Sequence, residues 1–412
     1  MKRLSRRGIF MFLAVMGPGI ITAAADNDAG GITTYSRAGA LYGYQFLSVL
    51  LLTVIVLAVV QEMSARMGAV TQKGLGELIR EEYGVKWTFI ALSALLIANL
   101  ATTVSNFAGI AASLEIFNIS RYITVPIAAI VLWFLVVKGN FKTVERVFLF
   151  FTLIYGTYIV SGILAKPDWE LALRSAVTPT FVMDKGYIFL MIAVIGTTIT
   201  PWMQFLMQAT VVDKGVHIRD YKYQKIDVYL GAFLTGVVAF FIIVATAATL
   251  HRQGIQIDTA ADAAHALRPL AGKYAELLFA IGLFNASLLA AAVVPLSTAY
   301  TYSGAFGWEI GVSRSWREAP AFYGIYTFSI IFGAVVVLFP NLHLIDTMIR
   351  AQGISGILLP VVLIFMLLLV NNKSIMGNYT NSKIYNIMVW AMTVALIILT
   401  ILLILAQILG WG

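Results

Sequence analysis

Asp26 and Asp28 lie two residues apart in a stretch that is otherwise apolar or small, and Gly30 and Gly31 follow directly. An ionised carboxylate at membrane depth costs about 2.5–3.5 kcal/mol on insertion scales, so it persists only beside a cavity, a cation or a partner. Carboxylates are hard oxygen ligands, and paired glycines let a helix unwind and present backbone carbonyls as further oxygens. The pattern suits a hard cation. The plainer alternative is that one of the aspartates caps a helix that resumes after a break. The sequence leaves open which of the two faces the ion. A second candidate segment runs Gly196-Thr197-Thr198-Ile199-Thr200-Pro201-Trp202. Pro201 has no N–H and frees the carbonyl about four residues earlier, near Gly196–Thr197; an ordinary proline kink is the alternative. Gln204 and Gln208 follow Trp202 at helical spacing and are candidates for holding an ion's outer waters. Asn285, Ser287, Gln352 and Gly353 are weaker pathway candidates, because amide and small side chains also serve helix–helix packing.

The elements that hold these residues are membrane helices. Sixty per cent of the 412 residues are hydrophobic and 12% are charged, about half the charge of a soluble domain. The apolar residues come in long runs rather than the short alternating segments of an outer-membrane barrel. With spans of about 20 residues, eleven helices are expected near 9–36 (interrupted), 43–66, 87–116, 121–138, 144–165, 186–211 (interrupted), 226–250, 274–303, 321–340, 344–371 and 384–409. If the N-terminus is cytoplasmic, inner segments carry 19 of the 28 basic residues; the positive-inside rule then puts the N-terminus inside and the C-terminus outside. The basic start Met1–Arg7 leads into a run too long for a cleaved signal. A multi-pass protein of the cell inner (plasma) membrane is expected, and the placement of its net +8 charge speaks against nucleic acid.

There is no cysteine, which excludes disulfides and thiolate metal sites, and His217, His251, His265 and His343 fall outside the apolar runs or at their edges. No His-Glu-x-x-His and no phosphate-binding glycine loop occurs, so neither an enzyme nor a bound cofactor is expected. No soluble domain suits a receptor, and no obligate protein partner is evident. The two interrupted segments sit five helices apart, at matching places in segments one to five and six to ten. That is the signature of inverted repeats around a midplane site. One transmembrane transport domain is expected over 1–412, with repeats at about 9–165 and 186–371 and an extra helix at about 384–409.

Gly17-Pro18-Gly19 through Ala38-Gly39-Ala40-Leu41-Tyr42-Gly43-Tyr44 resembles the first helix of the natural resistance-associated macrophage protein (NRAMP) family of divalent metal transporters. Gly68, Thr71, Lys73 and Gly74-Leu75 continue the likeness, as do Gly196 through Pro201 and Asn371-Asn372-Lys373 to Met376-Gly377. The resemblance implies an all-α, LeuT-like fold of two inverted five-helix repeats plus an eleventh helix, and a divalent metal ion as substrate. It also makes the departures informative. The family's Asp-Pro-Gly-Asn reads Asp28-Ala29-Gly30-Gly31 here, which keeps the metal-binding aspartate and turns the ligand asparagine into Gly31. Met-Pro-His reads Thr200-Pro201-Trp202, so a hydroxyl replaces the thioether, and a further family histidine falls on Met207. Acidic positions of the family's proton route fall on Asn99, Asn106 and Gly109.

A thioether favours transition metals over hard ions, and Mg²⁺ keeps several of its waters when bound through one or two carboxylates. The departures therefore imply a wide oxygen-only site for partly hydrated Mg²⁺, with Mn²⁺ a further permeant ion, as in the NRAMP-related magnesium transporter branch. Asn99, Asn106, Gly109, Trp202 and Met207 cannot relay protons, which implies transport without proton coupling; Asp26 and Glu62 remain as titratable groups. The competing expectations are a proton-coupled Mn²⁺/Fe²⁺ transporter and a LeuT-fold sodium-coupled carrier of organic solutes. In every case lipid is the solvent, and the expected site residues are Asp28, Asp26, Gly31, Thr197, Thr200, Trp202 and Gln204.

Overall fold

The chain is seen in a computed structural model that describes residues 18–138, 155–312 and 314–408. Among these residues every regular element is a helix, as a chain in lipid must satisfy its backbone groups within each segment. We number the main helices α1 (Pro18–Asp26), α2 (Ala29–Tyr42), α3 (Phe46–Thr71), α4 (Leu75–Glu115), α5 (Arg121–Val137), α6 (Gly156–Leu164), α7 (Trp169–Val177), α8 (Lys185–Thr198), α9 (Pro201–Asp213), α10 (Tyr221–Thr246), α11 (Ala275–Phe306), α12 (Pro320–Val337), α13 (Leu344–Val370) and α14 (Lys383–Ile408). Eight stretches of described helix are long and apolar enough to cross a membrane, and the first of these, Ala29–Thr71, contains both α2 and α3. The chain is a multi-pass membrane protein.

The two interrupted segments are α1–α2 and α8–α9. Half-helix α1 packs on α9, and α2 packs on α8, so the head of each broken helix lies beside the tail of the other and the two run antiparallel. Around them, α3 and α10 close one side, while α4 packs along α11 and α13 on the other. The broken helix α8–α9 is central: 94% of its most apolar stretch is buried, against 28% for α14 at the rim. Ile387, Ile401, Ile404 and Ile408 of α14 and Ile123, Ile127 and Ile130 of α5 point outward, the reverse of a water-soluble surface.

Two elements differ from the expectation. α4 begins at Leu75 rather than near 87, because Gly74 donates its N–H to Glu77 and starts a helix. That helix then resets at Gly84, whose φ of 76° only glycine adopts freely. Its charges (Glu77, Arg80, Glu81 and Glu82) hide it from a search for apolar runs. The amphipathic α7, capped by Asp168, escapes for the same reason. The expected fifth helix, 144–165, lies within the described residues only in its last part, as α6.

Candidate functional site

Helix α1 ends at Asp26 and α2 starts at Ala29, so only Asn27 and Asp28 are non-helical. Asp28 takes an extended conformation (φ −77°, ψ −176°), and its Oδ1 accepts from Gly31 N at 2.7 Å, which makes it the N-cap of α2. Its Oδ2 accepts from Asn106 Nδ2 on α4 at 3.1 Å, and Asn106 Oδ1 in turn accepts from Ala29 N at 3.4 Å. The expected unwinding at Gly30-Gly31 is corrected: both glycines belong to the first turn of α2. They supply space instead. A Cβ on Gly30 would fall 1.8 Å from Gln352 Nε2 and 2.8 Å from Ser105 Oγ, so α13 and α4 close directly on its backbone.

The second break is built by Pro201, the first residue of α9. The carbonyl that its missing N–H would have engaged is that of Thr197. The Thr200 hydroxyl lies 3.3 Å from that carbonyl and 3.1 Å from Asp26 Oδ1, and it donates its single proton to one or the other. The two breaks meet at Gly31. The place its Cβ would occupy is 3.1 Å from the Asp26 carbonyl oxygen, 3.3 Å from Thr197 Oγ1 and 3.5 Å from Asp28 Oδ1, a small gap with oxygens on three sides. The C-terminal, partially negative ends of α1 and α8 converge there with the N-terminal ends of α2 and α9.

Charge is left unbalanced at this point. Asp26 and Asp28 are 2% and 4% exposed, and among the described residues neither forms an ion pair. Arg350, the basic residue best placed in sequence to neutralise them, is exposed. Asp26 Oδ2, Thr197 Oγ1 and Ser105 Oγ, on residues close to Gly30 and Gly31, are buried without a hydrogen-bond partner. Such groups cost about 1–3 kcal/mol each when left unmet, so their clustering marks a place where something polar is bound. Among the described residues no cluster of three or more His, Cys, Asp or Glu side chains suited to a metal occurs. What the site offers is two carboxylates, hydroxyls, amides and carbonyls, the donor set of a hard cation.

The remaining expected residues separate. Trp202 is buried, and its carbonyl accepts from Ser297 Oγ at 3.0 Å. Gln208, expected among the outer-water groups, instead donates to the Lys73 carbonyl at 2.8 Å and ties α9 to the turn after α3. Glu62 is paired with Arg66 at 3.2 Å and accepts from the Tyr221 hydroxyl. Gly109 is where α4 touches α2 and α11, since a Cβ there would lie 2.3 Å from both Ala29 Cβ and Ser287 Oγ. Asn99 donates to Thr298 at 2.8 Å, Gly353 packs on Phe189, Asn285 keeps an unmatched Nδ2, and Met207 sits in a small apolar cluster with Ala65, Val211 and Val228. Sequence reasoning missed Tyr155, which donates to the Asn27 carbonyl at 2.8 Å, and Asp227, whose signal was a carboxylate at the start of an apolar run.

The family model for natural resistance-associated macrophage protein-like proteins (Nramp) matches residues 19–406. The chain belongs to the Nramp family. Among its relatives, the divalent metal cation transporter MntH of Deinococcus radiodurans is 27% identical over 95% of this chain and 90% of its own length. MntH of Latilactobacillus sakei is 26% identical over 95% and 89%. The crystal structure of the Eremococcus coleocola manganese transporter superposes with a TM-score of 0.76 at 20% identity, covering 98% of this chain and 87% of that one. MhsT in complex with L-phenylalanine follows at a TM-score of 0.59 and 15% identity, covering 94% and 98%. The Nramp chain thus has the LeuT-like architecture of two inverted five-helix repeats and an eleventh helix, here α14.

Proposed function

We propose that this Nramp protein carries a divalent metal ion across the plasma membrane, and that the ion is Mg²⁺ still holding part of its water shell. The observation that carries the reading is the pair Asp26 and Asp28, buried where four half-helix ends meet, with neutral oxygen and amide groups around them and no basic partner among the described residues. Two carboxylates in that position are stabilised by a doubly charged ion. Asp28 binds it directly, Asp26 Oδ2 and the Asp26 carbonyl approach from α1, and Thr197 and Thr200 approach from the second break. A water retained on the ion fills the gap at Gly31, where three oxygens lie 3.1–3.5 Å from the missing Cβ. Gln204 and Trp202 border the site one step further out.

The preference for Mg²⁺ rests on softness. Thr200 puts a hydroxyl at the break, while the thioethers of α9, Met203 and Met207, line a separate space with Thr22 and Gln61. A second reading, a proton-coupled Mn²⁺/Fe²⁺ transporter, draws on the manganese in the name of the Eremococcus coleocola protein. Against it, Asn106 holds Asp28 as a neutral amide and Gly109 has no room for a side chain, so the α4 face offers no proton acceptor. A sodium-coupled organic-solute carrier suits an anionic substrate group poorly, because Asp28 stands at the centre. The whole chain is one transport domain, with repeats over about 9–165 and 186–371, N-terminus cytoplasmic and C-terminus outside. It works without a resident cofactor, an obligate protein partner or an enzymatic step.

The reading is tested in proteoliposomes that report internal Mg²⁺ and internal pH together. Mg²⁺ entry with no accompanying acidification is expected, and amino acids should not compete. Acidification in step with Mg²⁺ uptake sinks the uncoupled account, and Mn²⁺ uptake without Mg²⁺ uptake sinks the magnesium assignment.

A further inference from the structure

We propose that Asp227 of α10 is a positioning residue that latches half-helix α1 closed, so that its grip sets how often the Asp26–Asp28 site opens toward the N-terminal face. The inference rests on the transport reading, but not on which ion is carried. Pro18 has no N–H, and the next amide along the described part of α1 belongs to Gly19. It donates to Asp227 Oδ2 at 2.6 Å, and Gln224 Nε2 donates to the same oxygen at 3.2 Å. A fully buried carboxyl group of α10 thus holds the backbone of α1 at Gly19.

Three residues at i, i+4 and i+8 on α10 make one continuous contact with α1. Asp227 meets Gly19, a Cβ on Gly231 would lie only 2.4 Å from the Gly19 carbonyl oxygen, and Thr235 donates to the Ala23 carbonyl at 3.2 Å. Half-helix α2 is fastened differently. Arg37 pairs with Asp346 on α13 at 2.5 Å, Tyr42 donates to Asp184 at the start of α8 at 3.1 Å, and His251 reaches the Ala40 carbonyl at 2.9 Å. α2 is thus pinned by side chains from three different elements, whereas α1 has its most extensive contact with one face of α10 and smaller contacts with α9 and α11. Beneath that contact α1 covers a space of about 10 Å³ lined by Thr22, Gln61, Met203 and Val228, room for no more than a single water. An ion leaving on this side requires α1 to lift from α10, which breaks the Asp227–Gly19 and Thr235–Ala23 hydrogen bonds, the first of them the shorter.

The chain contains no cysteine, so Val228→Cys places a unique thiol in the covered space. Labelling by a water-soluble thiosulfonate from the N-terminal face of proteoliposomes reads the opening of α1. Adding Asp227→Ala is expected to raise the labelling rate about tenfold, the weight of one hydrogen bond to a charged group. The KM for Mg²⁺ presented on the opposite face should change little, because an α1 that opens rarely leaves most of the population binding-competent even when opening becomes tenfold more frequent. Asp227→Asn keeps an acceptor oxygen and should stay within about threefold of the parent on both measures. Gly231→Ala pushes a methyl group onto the Gly19 carbonyl with Asp227 intact and should also raise labelling, which keeps the test open if Asp227→Ala does not fold. Unchanged labelling in whichever of Asp227→Ala and Gly231→Ala retains the parent's melting temperature overturns the latch. Labelling needs no metal, so a failure of the Mg²⁺ reading leaves this outcome interpretable.

Discussion

Asp26 Oδ2 has no hydrogen-bond partner, whereas both oxygens of Asp28 are engaged, one by Gly31 N and one by Asn106. On the proposed reading the two aspartates do different work: Asp28 is oriented in advance, and Asp26 supplies an oxygen that an ion would meet. Asp26→Asn keeps an acceptor for Thr200 and removes the charge; Mg²⁺ affinity measured by uptake competition should fall about tenfold or more. Ligand softness is tested by Gly31→Asn combined with Thr200→Met. The new Cβ would meet the Asp26 carbonyl at 3.1 Å and two side-chain oxygens at 3.3 and 3.5 Å, so the variant's melting temperature is measured beside its selectivity. Its preference for Mn²⁺ or Cd²⁺ over Mg²⁺ should rise about tenfold; no rise would mean that ligand softness does not set selectivity. At this scale the sequence revealed which residues carry charge into lipid, but not what faces them. Asn106 reads as the loss of an acid, and only the fold shows it clamping Asp28 and Ala29 from 78 and 77 residues away. Gln208 reads as Gln204 does, at helical spacing from Trp202, yet the register of α9 turns it to the Lys73 carbonyl.

Between elements, glycines let backbones touch where the site is framed. A Cβ on Gly196 of α8 would lie 2.3 Å from Gly356 N and 2.4 Å from the Gln352 carbonyl, and one on Gly356 would lie 2.3 Å from the Ile192 carbonyl. Backbone cannot yield as a flexible side chain does, so Gly356→Ala should cost about 1–3 kcal/mol. It should also displace Gln352 from Gly30, and a lower melting temperature together with weaker Mg²⁺ uptake is the expected pair of results. A lower melting temperature alone would confine Gly356 to packing. The apolar spans and both helix breaks were legible because lipid forces long apolar runs and proline and aspartate interrupt them visibly. The segment at 75–83 and α7 were not, since each is a charged, capped helix with no apolar run. Gly30 and Gly31 were read as a point of unwinding, but the backbone stays helical there, and their missing side chains admit Gln352 and leave an oxygen-lined gap.

As a whole, the described molecule has an apolar rim, a central broken helix α8–α9 whose most apolar stretch is 94% buried, and a site whose two aspartates are buried. Two positive charges moving down an inside-negative potential gain about 4.6 kcal/mol per 100 mV, enough for accumulation on the order of a thousandfold without a proton partner. Initial Mg²⁺ uptake should therefore climb with an imposed potassium diffusion potential and be indifferent to a pH gradient; the opposite dependence would point to proton coupling. The central claim is that a doubly charged ion offsets the buried charge of Asp28, and Mg²⁺ uptake by Asp28→Asn beside the native chain tests it most directly. Asparagine keeps the oxygen that caps α2, and removes the charge together with the acceptor that Asn106 engages. The account predicts a well-folded protein with uptake reduced about a hundredfold, the scale of a lost charge-assisted ligand. Native-like uptake by that variant would contradict it.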